Sequence, residues 1–463
     1  MNNVLLIDFG STYTKLTLVD IEAEEILATA ASYTTIETDI NDGLNKGLAI
    51  LKEKIGDFTY SACYACSSAA GGLRMVTSGL VPELTGEAAK LASLGAGAKV
   101  VGVYAFELTE DDMDDILQQK PDIFLLTGGT DGGNKDCILH NAKMLADIKP
   151  NFPIVIAGNR TAARECARIL EGCEVYVCPN VMPKFGTLNI EPTQKQIREI
   201  FLNRIIQAKG LSRASELLSD IMMPTPAAVM QAMELLSQGC EGETGIGDLV
   251  AVDVGGATTD IYSITDGMPD SMNTVYKGLP EPFAKRTVEG DIGMRYSIQG
   301  IVDAAGVTKV AAISGLTPHR VQQLVDDLKQ NTDKVPNGDS ELENLDFALA
   351  SCAIEEAVTR HAGTLTETYT LMGQTFVQEG KNLTRVKQIV VTGGSLIHTK
   401  KTEQIAKFAL YSPAMPQSLR PKTADVWVDR TYILAAMGLL SSYYPQTALR
   451  IMKKELEYHG HQE

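Results

Sequence analysis

The chain is poor in the residues that build metal centres and nucleic-acid surfaces. Its six histidines stand apart, with no HxxH or HExxH spacing and no Asp-x-His-x-x-Gly signature of a cobalamin-ligating domain, so none is assigned to a metal or to cobalt. Basic residues are outnumbered, 41 lysines and arginines against 58 acids, for a net charge of -17. A phosphate polymer or an anionic lipid surface needs a concentrated positive footprint, so the charge opposes nonspecific attraction to either and neither is expected as a partner. No stretch approaches the roughly 20 uncharged apolar residues that span a bilayer. The first residues run straight into an apolar strand without a basic region, a long apolar stretch or a cleavage site, which reads as a cytoplasmic protein. The eight cysteines are scattered. The CxxC at Cys63 and Cys66 sits in a strand-like run, YSACYAC, with no second pair at zinc-finger spacing, and is read as core packing. The single tryptophan, Trp427, and an apolar helix over Thr431–Tyr444 are assigned to the core.

What is present is an α/β pattern. At 463 residues the chain exceeds one ordinary core, and two large halves are expected. Residues 4–35 read as a meander of three β-branched runs, VLLIDFGS, TKLTLVD and EILATAASYTT. A helix over Asp39–Lys54 and a strand over Tyr60–Cys66 follow, then the small-residue segment SSAAGGLR. From about 86 to 178 strands and helices alternate, which calls for a parallel sheet covered on both faces. The acidic run Glu107–Asp115 there reads as a helix start, where carboxylates suit the N-terminal dipole. At Leu249 the opening repeats itself: LVAVDVGGATTDIYSITDG follows NVLLIDFGSTYTKLTLVDIE in the order strand, acid, glycine turn, hydroxyls, strand. The division expected is therefore residues 1–247, carrying the inserted α/β segment, and 248–463.

The repeated element also carries the chemistry. In Ile7-Asp8-Phe9-Gly10-Ser11-Thr12 a strand delivers Asp8 at its end, Gly10 permits a tight turn, and backbone amides with the Ser11 and Thr12 hydroxyls can face phosphate oxygens. A carboxylate beside such a turn suits Mg2+ held through ordered water. Asp253-Val254-Gly255-Gly256-Ala257-Thr258-Thr259-Asp260 repeats that logic with two adjacent glycines. Two facing copies would put Asp8 and Asp253 on opposite sides of one triphosphate. A third element, Ile389–Ser395 with Gly393, Gly394 and Ser395, is a buried-looking strand ending in a glycine pair, where a base and ribose can lie against open backbone. The Gly128-Gly129 loop looks the same, and strand-Gly-Gly-helix is also a common packing device.

This ordered set, IDFGSTYTK, AVDVGGATTD and VVTGGS, resembles the two phosphate motifs and the adenosine motif of the superfamily of acetate and sugar kinases, heat-shock chaperone ATPases and actin. The resemblance implies a two-lobed actin-like fold of duplicated RNase H-like domains with a nucleotide cleft. It implies ATP and Mg2+ as ligands, with Asp8 and Asp253 in the metal shell and Asp260 supporting the second loop. Gly10, Ser11, Thr12, Gly255, Gly256 and Thr258 would contact phosphates, and Gly393, Gly394 and Ser395 the adenosine. The segments Cys66–Met75, Leu126–Gly133 and Arg286–Arg295 resemble the MutL-type proteins associated with adenosylcobalamin-dependent glutamate mutase, a family unrelated to the mismatch-repair protein of the same name. That resemblance implies an ATP-dependent reactivating factor whose partner is the mutase. A small-molecule kinase and a nucleotide-gated actin-like scaffold are the alternatives on the same fold, and homo-oligomerisation stays open. Arg74, Glu289, Asp291 and Arg295, charges set among small or apolar residues, read either as an inter-domain ion-pair set or as catalytic and partner contacts.

Overall fold

The computed structural model describes residues 2–10, 13–34, 40–68, 73–208, 220–370 and 373–462. The chain divides into two units, Met1–Ala232 with Gly278–Pro280 and Ile433–Ile451, and Met233–Lys277 with Glu281–Tyr432 and Met452–Glu463.

The first unit opens with the expected meander, β1 (Asn3–Phe9), β2 (Tyr13–Asp20) and β3 (Glu25–Tyr33). All seven residues of β1 are buried, because it lies between β2, antiparallel, and β4 (Ala62–Ser67), parallel. Helix α1 (Ile40–Ile55) carries the chain from β3 to β4, and β10 (Asp220–Pro224) joins the far side of β4 to give the order β3-β2-β1-β4-β10. Between β4 and β10 comes a second sheet, β5 (Arg74–Gly79), β6 (Lys99–Ala105), β7 (Ile123–Leu126), β8 (Ile154–Ile156) and β9 (Val175–Val177), ordered β6-β5-β7-β8-β9 and parallel throughout. Its crossovers include α2 (Glu87–Gly95), α3 (Glu110–Gln119), α4 (Asp136–Ile148) and α5 (Arg160–Ile169). Alternation along β7 sends Ile123 and Leu125 into one apolar cluster and Phe124 and Leu126 into another, so both faces are covered, as a parallel sheet requires. The acidic run does start α3: Thr109 and Asp112 form a reciprocal capping box. After α6 (Glu191–Ala208) and β10, α7 (Thr225–Gln238) runs out of this unit and into the second at Met233.

The second unit repeats the topology. Past the small hairpin of β11 (Gly239–Cys240) and β12 (Glu243–Thr244), β13 (Leu249–Val254) and β14 (Thr259–Ile264) form a hairpin. Further on come β15 (Thr274–Lys277), β16 (Ala284–Glu289), β17 (Thr364–Thr370), β18 (Gly373–Glu379), β19 (Gln388–Thr392), β20 (Ala424–Val428) and β21 (Glu457–Gln462). The main sheet is β16-β14-β13-β19-β20-β21, with the first three strands antiparallel and β13, β19 and β20 parallel. Set beside β3-β2-β1-β4-β10, this is the same five-strand order and sense twice, the duplicated RNase H-like architecture of the actin-like ATPase fold. Helices α8 (Ile298–Ala305), α9 (Val307–Ser314), α10 (Pro318–Gln330) and α11 (Ser340–His361) supply its core, α11 burying residues almost all round.

Some expectations shift. The helix foreseen over Thr431–Tyr444 is shorter, Leu434–Ser441, and Trp427 is half-buried, its indole N–H on Gln388 at 2.7 Å and its ring against Tyr458. Among the described residues no helix is long and apolar enough to cross a membrane.

Candidate functional site

Each hairpin turn is closed by the same bond. The Gly10 amide donates to the Tyr13 carbonyl at 3.1 Å, and the Gly255 amide to the Thr258 carbonyl at 2.9 Å. A Cβ on Gly10 would sit 2.5 Å from that carbonyl oxygen, and one on Gly255 2.9 Å from its counterpart, so both turns demand glycine. Ser11 and Thr12 lie outside the described residues.

Asp8 is the next-to-last residue of β1 and 8% exposed. Its carboxylate accepts from the Thr225 hydroxyl at 2.6 Å and from the Cys66 thiol at 3.5 Å. Thr225 opens α7, directly behind β10, so one donor comes from β4, the parallel neighbour of β1, and the other from the helix that follows the next strand out. Burial, with Asp8 adding to it, pushes the Cys66 thiol well up, which makes it an inert donor and not a nucleophile. Across the hairpin Asp8 pairs with Lys15.

In the second unit Asp253 pairs across the hairpin with Asp260 and, on its other side, with Thr392 of β19. Asp260 is bound by Arg286 of β16, Nε–Oδ1 2.8 Å and Nη2–Oδ1 2.6 Å, with the guanidinium side chain only 4% exposed. Burial works to weaken that cation, but Asp260 and Tyr262 beside it hold it above the usual arginine range. Burial, reinforced by Asp260, drives the Tyr262 phenol well up, so it stays neutral. Thr258 donates to Asp260 at 3.4 Å. The loop backbone is supported from behind: Met294 donates to the Gly255 carbonyl at 3.0 Å, Arg295 and Tyr296 to that of Gly256 at 2.9 and 2.8 Å. Gly293 permits this approach, since a Cβ there would lie 2.3 Å from Ala257.

The glycine pair after β19 joins this loop. A Cβ on Gly393, φ +104°, would sit 2.3 Å from the Val254 carbonyl oxygen, so the third motif packs directly on the end of β13. The Ser395 hydroxyl is buried and has no hydrogen-bond partner among the described residues. The second unit therefore brings together Asp253, Gly255, Gly256, Thr258, Asp260, Gly393, Gly394 and Ser395, and the first unit holds Asp8 and Gly10.

Arg74, Glu289, Asp291 and Arg295 do not form one set. Arg74 donates to the Gln119 carbonyl at 2.8 Å, Arg360 joins Glu289 and Asp291 at 2.8 and 3.1 Å, and Arg295 clasps Asp346 at 2.8 Å. Each of these bonds stays inside one unit. Sequence reading missed Thr225, Lys15 and Arg286 as site residues. The signal for Lys15 was register, since the β1–β2 hairpin sets it opposite Asp8; Arg286 lies on β16, beyond β15, and its pairing with β14 could not be read locally. Thr225 had none, being 217 residues from Asp8.

The residues fit a magnesium-nucleotide. Magnesium takes one or two carboxylates and fills its shell with water and phosphate oxygens. Each unit offers such a carboxylate at the end of a strand that leads into a glycine turn, and no group of three or more ligating side chains occurs among the described residues.

A model of the MutL protein family matches residues 4–456. A curated relative, Protein MutL of Clostridium tetanomorphum, is 47% identical over 460 residues, 98% of this chain and 99% of its own. Among solved structures, xylulose kinase from Lactobacillus acidophilus is 12% identical with a TM-score of 0.38, covering all of this chain and 94% of that one. A diol dehydratase-reactivating factor is 12% identical with a TM-score of 0.37, over 96% of this chain and all of that one. By the match along nearly its whole length, the chain belongs to the MutL protein family.

Proposed function

We propose that the chain binds and hydrolyses ATP with magnesium, and that the cycle changes its contact with a partner enzyme, an adenosylcobalamin-dependent amino-acid mutase that it reactivates. The observation that carries the nucleotide half is the repeat itself: two hairpins with one topology, one closing bond and one carboxylate position, at Asp8 and Asp253. The partner half rests on family membership and on the glutamate-mutase resemblance of the segments around Cys66, Leu126 and Arg286. Glutamate mutase is the partner we name.

In this reading Gly10, Gly255, Gly256 and Thr258 turn amides and hydroxyl toward phosphate oxygens, while Gly393, Gly394 and Ser395 face the adenosine. Asp8 and Asp253 hold the magnesium shell through water; the ion offsets phosphate charge. Asp260, fixed by Arg286, keeps the second loop in register and supplies an acceptor near Asp253 that can orient water in line with the γ-phosphate. Positioning and electrostatics dominate such a reaction. A partner is moved only by differential affinity for the ATP and ADP forms, and driving a two-state balance from 1:99 to 99:1 takes about 5.5 kcal/mol.

The test is ATP turnover by the purified chain, alone and with inactivated glutamate mutase plus free coenzyme. Regained mutase activity that requires ATP supports the proposal. Phosphorylation of an added sugar or acid in step with ATP loss would replace it with a kinase, and ATP-dependent pelleting without turnover would replace it with a scaffold.

A further inference from the structure

The inserted parallel sheet has its own point where connections diverge. From β5 the chain crosses to β6 on one side, while β7, its other neighbour, continues to β8 and β9. In open α/β sheets ligands bind outside the carboxyl ends of the strands at such a divergence. There the chain places Gly79 at the end of β5, then Gly128 and Gly129 after β7 with φ of +149° and +69°. The loop that follows is fixed by two buried amides: Asn159 donates to the Gly133 and Asn134 carbonyls at 3.1 and 3.0 Å, and Asn180 to the Gly129 carbonyl at 3.0 Å.

An open surface depression of about 350 Å³ lies here, lined by Leu80, Phe106, Glu107, Asn134 and Cys137. Phe106 is its unusual member. It follows β6 with φ +66°, a left-handed conformation that a bulky side chain rarely adopts, and the residue is 60% exposed. Fully buried Asn141 of α4 enforces that turn, donating to the Phe106 carbonyl at 3.0 Å and accepting from the Leu108 amide at 2.8 Å, while His140 bonds the Leu108 carbonyl at 2.9 Å. Strain spent to display an aromatic ring brings no core packing, and such outliers gather at functional sites. Just before Gly79, the fully buried Thr77 and Ser78 hydroxyls have no partner among the described residues, a further departure from ordinary core chemistry.

We propose that this depression binds a nucleoside without its phosphates. The Phe106 face offers a stacking platform and Leu80 an apolar wall. The Glu107 carboxylate accepts from ribose hydroxyls or an exocyclic amine, and Asn134 lines the same pocket, its Oδ1 already accepting from the Cys137 amide at 3.3 Å. The volume is near the lower end of the roughly 300–1,000 Å³ of small-ligand sites, on the scale of one nucleoside. Phosphate is disfavoured twice. The Leu80 and Val81 amides that would cradle it are already given to the Thr85 hydroxyl, at 2.7 and 3.1 Å, and Glu107 repels an anion.

The site is independent of the ATP proposal. Adenosine and AMP are titrated by calorimetry into the full-length chain already saturated with ADP, which fills the proposed phosphate and adenosine loops, and then into F106G and E107Q treated alike. Saturable adenosine binding is expected, with AMP at least about tenfold weaker. F106G is expected to bind adenosine about tenfold or more weakly, the scale of one lost base–aromatic stack, with thermal stability equal to or above wild type because glycine relieves the positive φ. E107Q weakens adenosine and narrows the gap to AMP. Absence of adenosine binding, binding unchanged in both variants, or AMP binding as tightly as adenosine overturns the proposal.

Discussion

The two hairpins share a backbone and differ in how their acids are held. Asp8 is buried, faces Lys15 across the strands, and takes its hydrogen bonds from neutral donors, Thr225 and Cys66. Asp253 is half-buried and faces another acid, Asp260, whose charge is met by the buried Arg286. Main-chain topology has been kept through the repeat while the electrostatic surroundings have diverged. The first loop is tuned by residues far away in sequence, the second by its own neighbouring strand and by the 293–296 segment behind it. If both loops serve one nucleotide, they serve it with different tolerance to damage.

Four measurements break or sharpen that contrast. The largest expected effect is shared: Asp8→Ala and Asp253→Ala each lower ATP turnover by at least ~100-fold, the scale of losing a preorganised electrostatic element, and wild-type turnover in both removes the site. Next, Arg286→Met leaves Asp260 an uncompensated, largely buried charge and costs about 3 kcal/mol in denaturant unfolding, whereas Lys15→Met costs a small fraction of that; equal losses would mean that the two loops are supported alike. Third, Thr225→Val removes one charge-assisted bond to Asp8 and slows turnover about tenfold, roughly 1.4 kcal/mol, while Thr225→Ser restores it. A slowed Ser variant would assign Thr225 to packing instead.

The smallest effect is a pH dependence confined to the second unit. His361 is fully buried between Thr287, 2.7 Å from Nδ1, and Ser263, 2.8 Å from Nε2. Burial first, then the charges of Lys285 and Lys381, hold it well below its ordinary 6.5. The folded state keeps it neutral, so below pH 6.5 only the unfolded chain takes up the proton, and stability present above that value falls as the pH drops. Denaturant midpoints from about pH 7 down to 5 should decline in the wild type and decline less in His361→Gln.

The repeat was legible in the sequence because apolar strands, an acid and glycines recur in one order, and those features dictate a hairpin in both places. The inserted parallel sheet was legible from its strand-helix alternation. Less visible was β5: its RMVTSG has no apolar run, yet it is the switch strand of that sheet and owes its burial to neighbours on both sides. The hairpin Thr364–Glu379 also escaped notice, since its strands are polar and belong to a small three-stranded sheet with much exposed side-chain area. Within the candidate site the acids and glycines announced themselves by type and spacing. Thr225 and Arg286 act through pairings that only the folded sheet creates, and the support given by Gly293 to the Asp253 loop reads locally as an unremarkable turn.

The helix Leu434–Ser441 packs against β1 and β4 of the first unit, Tyr443 stacks on Tyr64 at 4.4 Å, and Gly438 lies so close to Ala228 that a Cβ would collide with its carbonyl. Those residues leave the ribosome more than 400 positions after β1. The earliest-made strand must therefore wait, partly uncovered, for almost the latest-made helix, and a nascent chain paused before residue 433 presents an apolar surface that holding chaperones would bind.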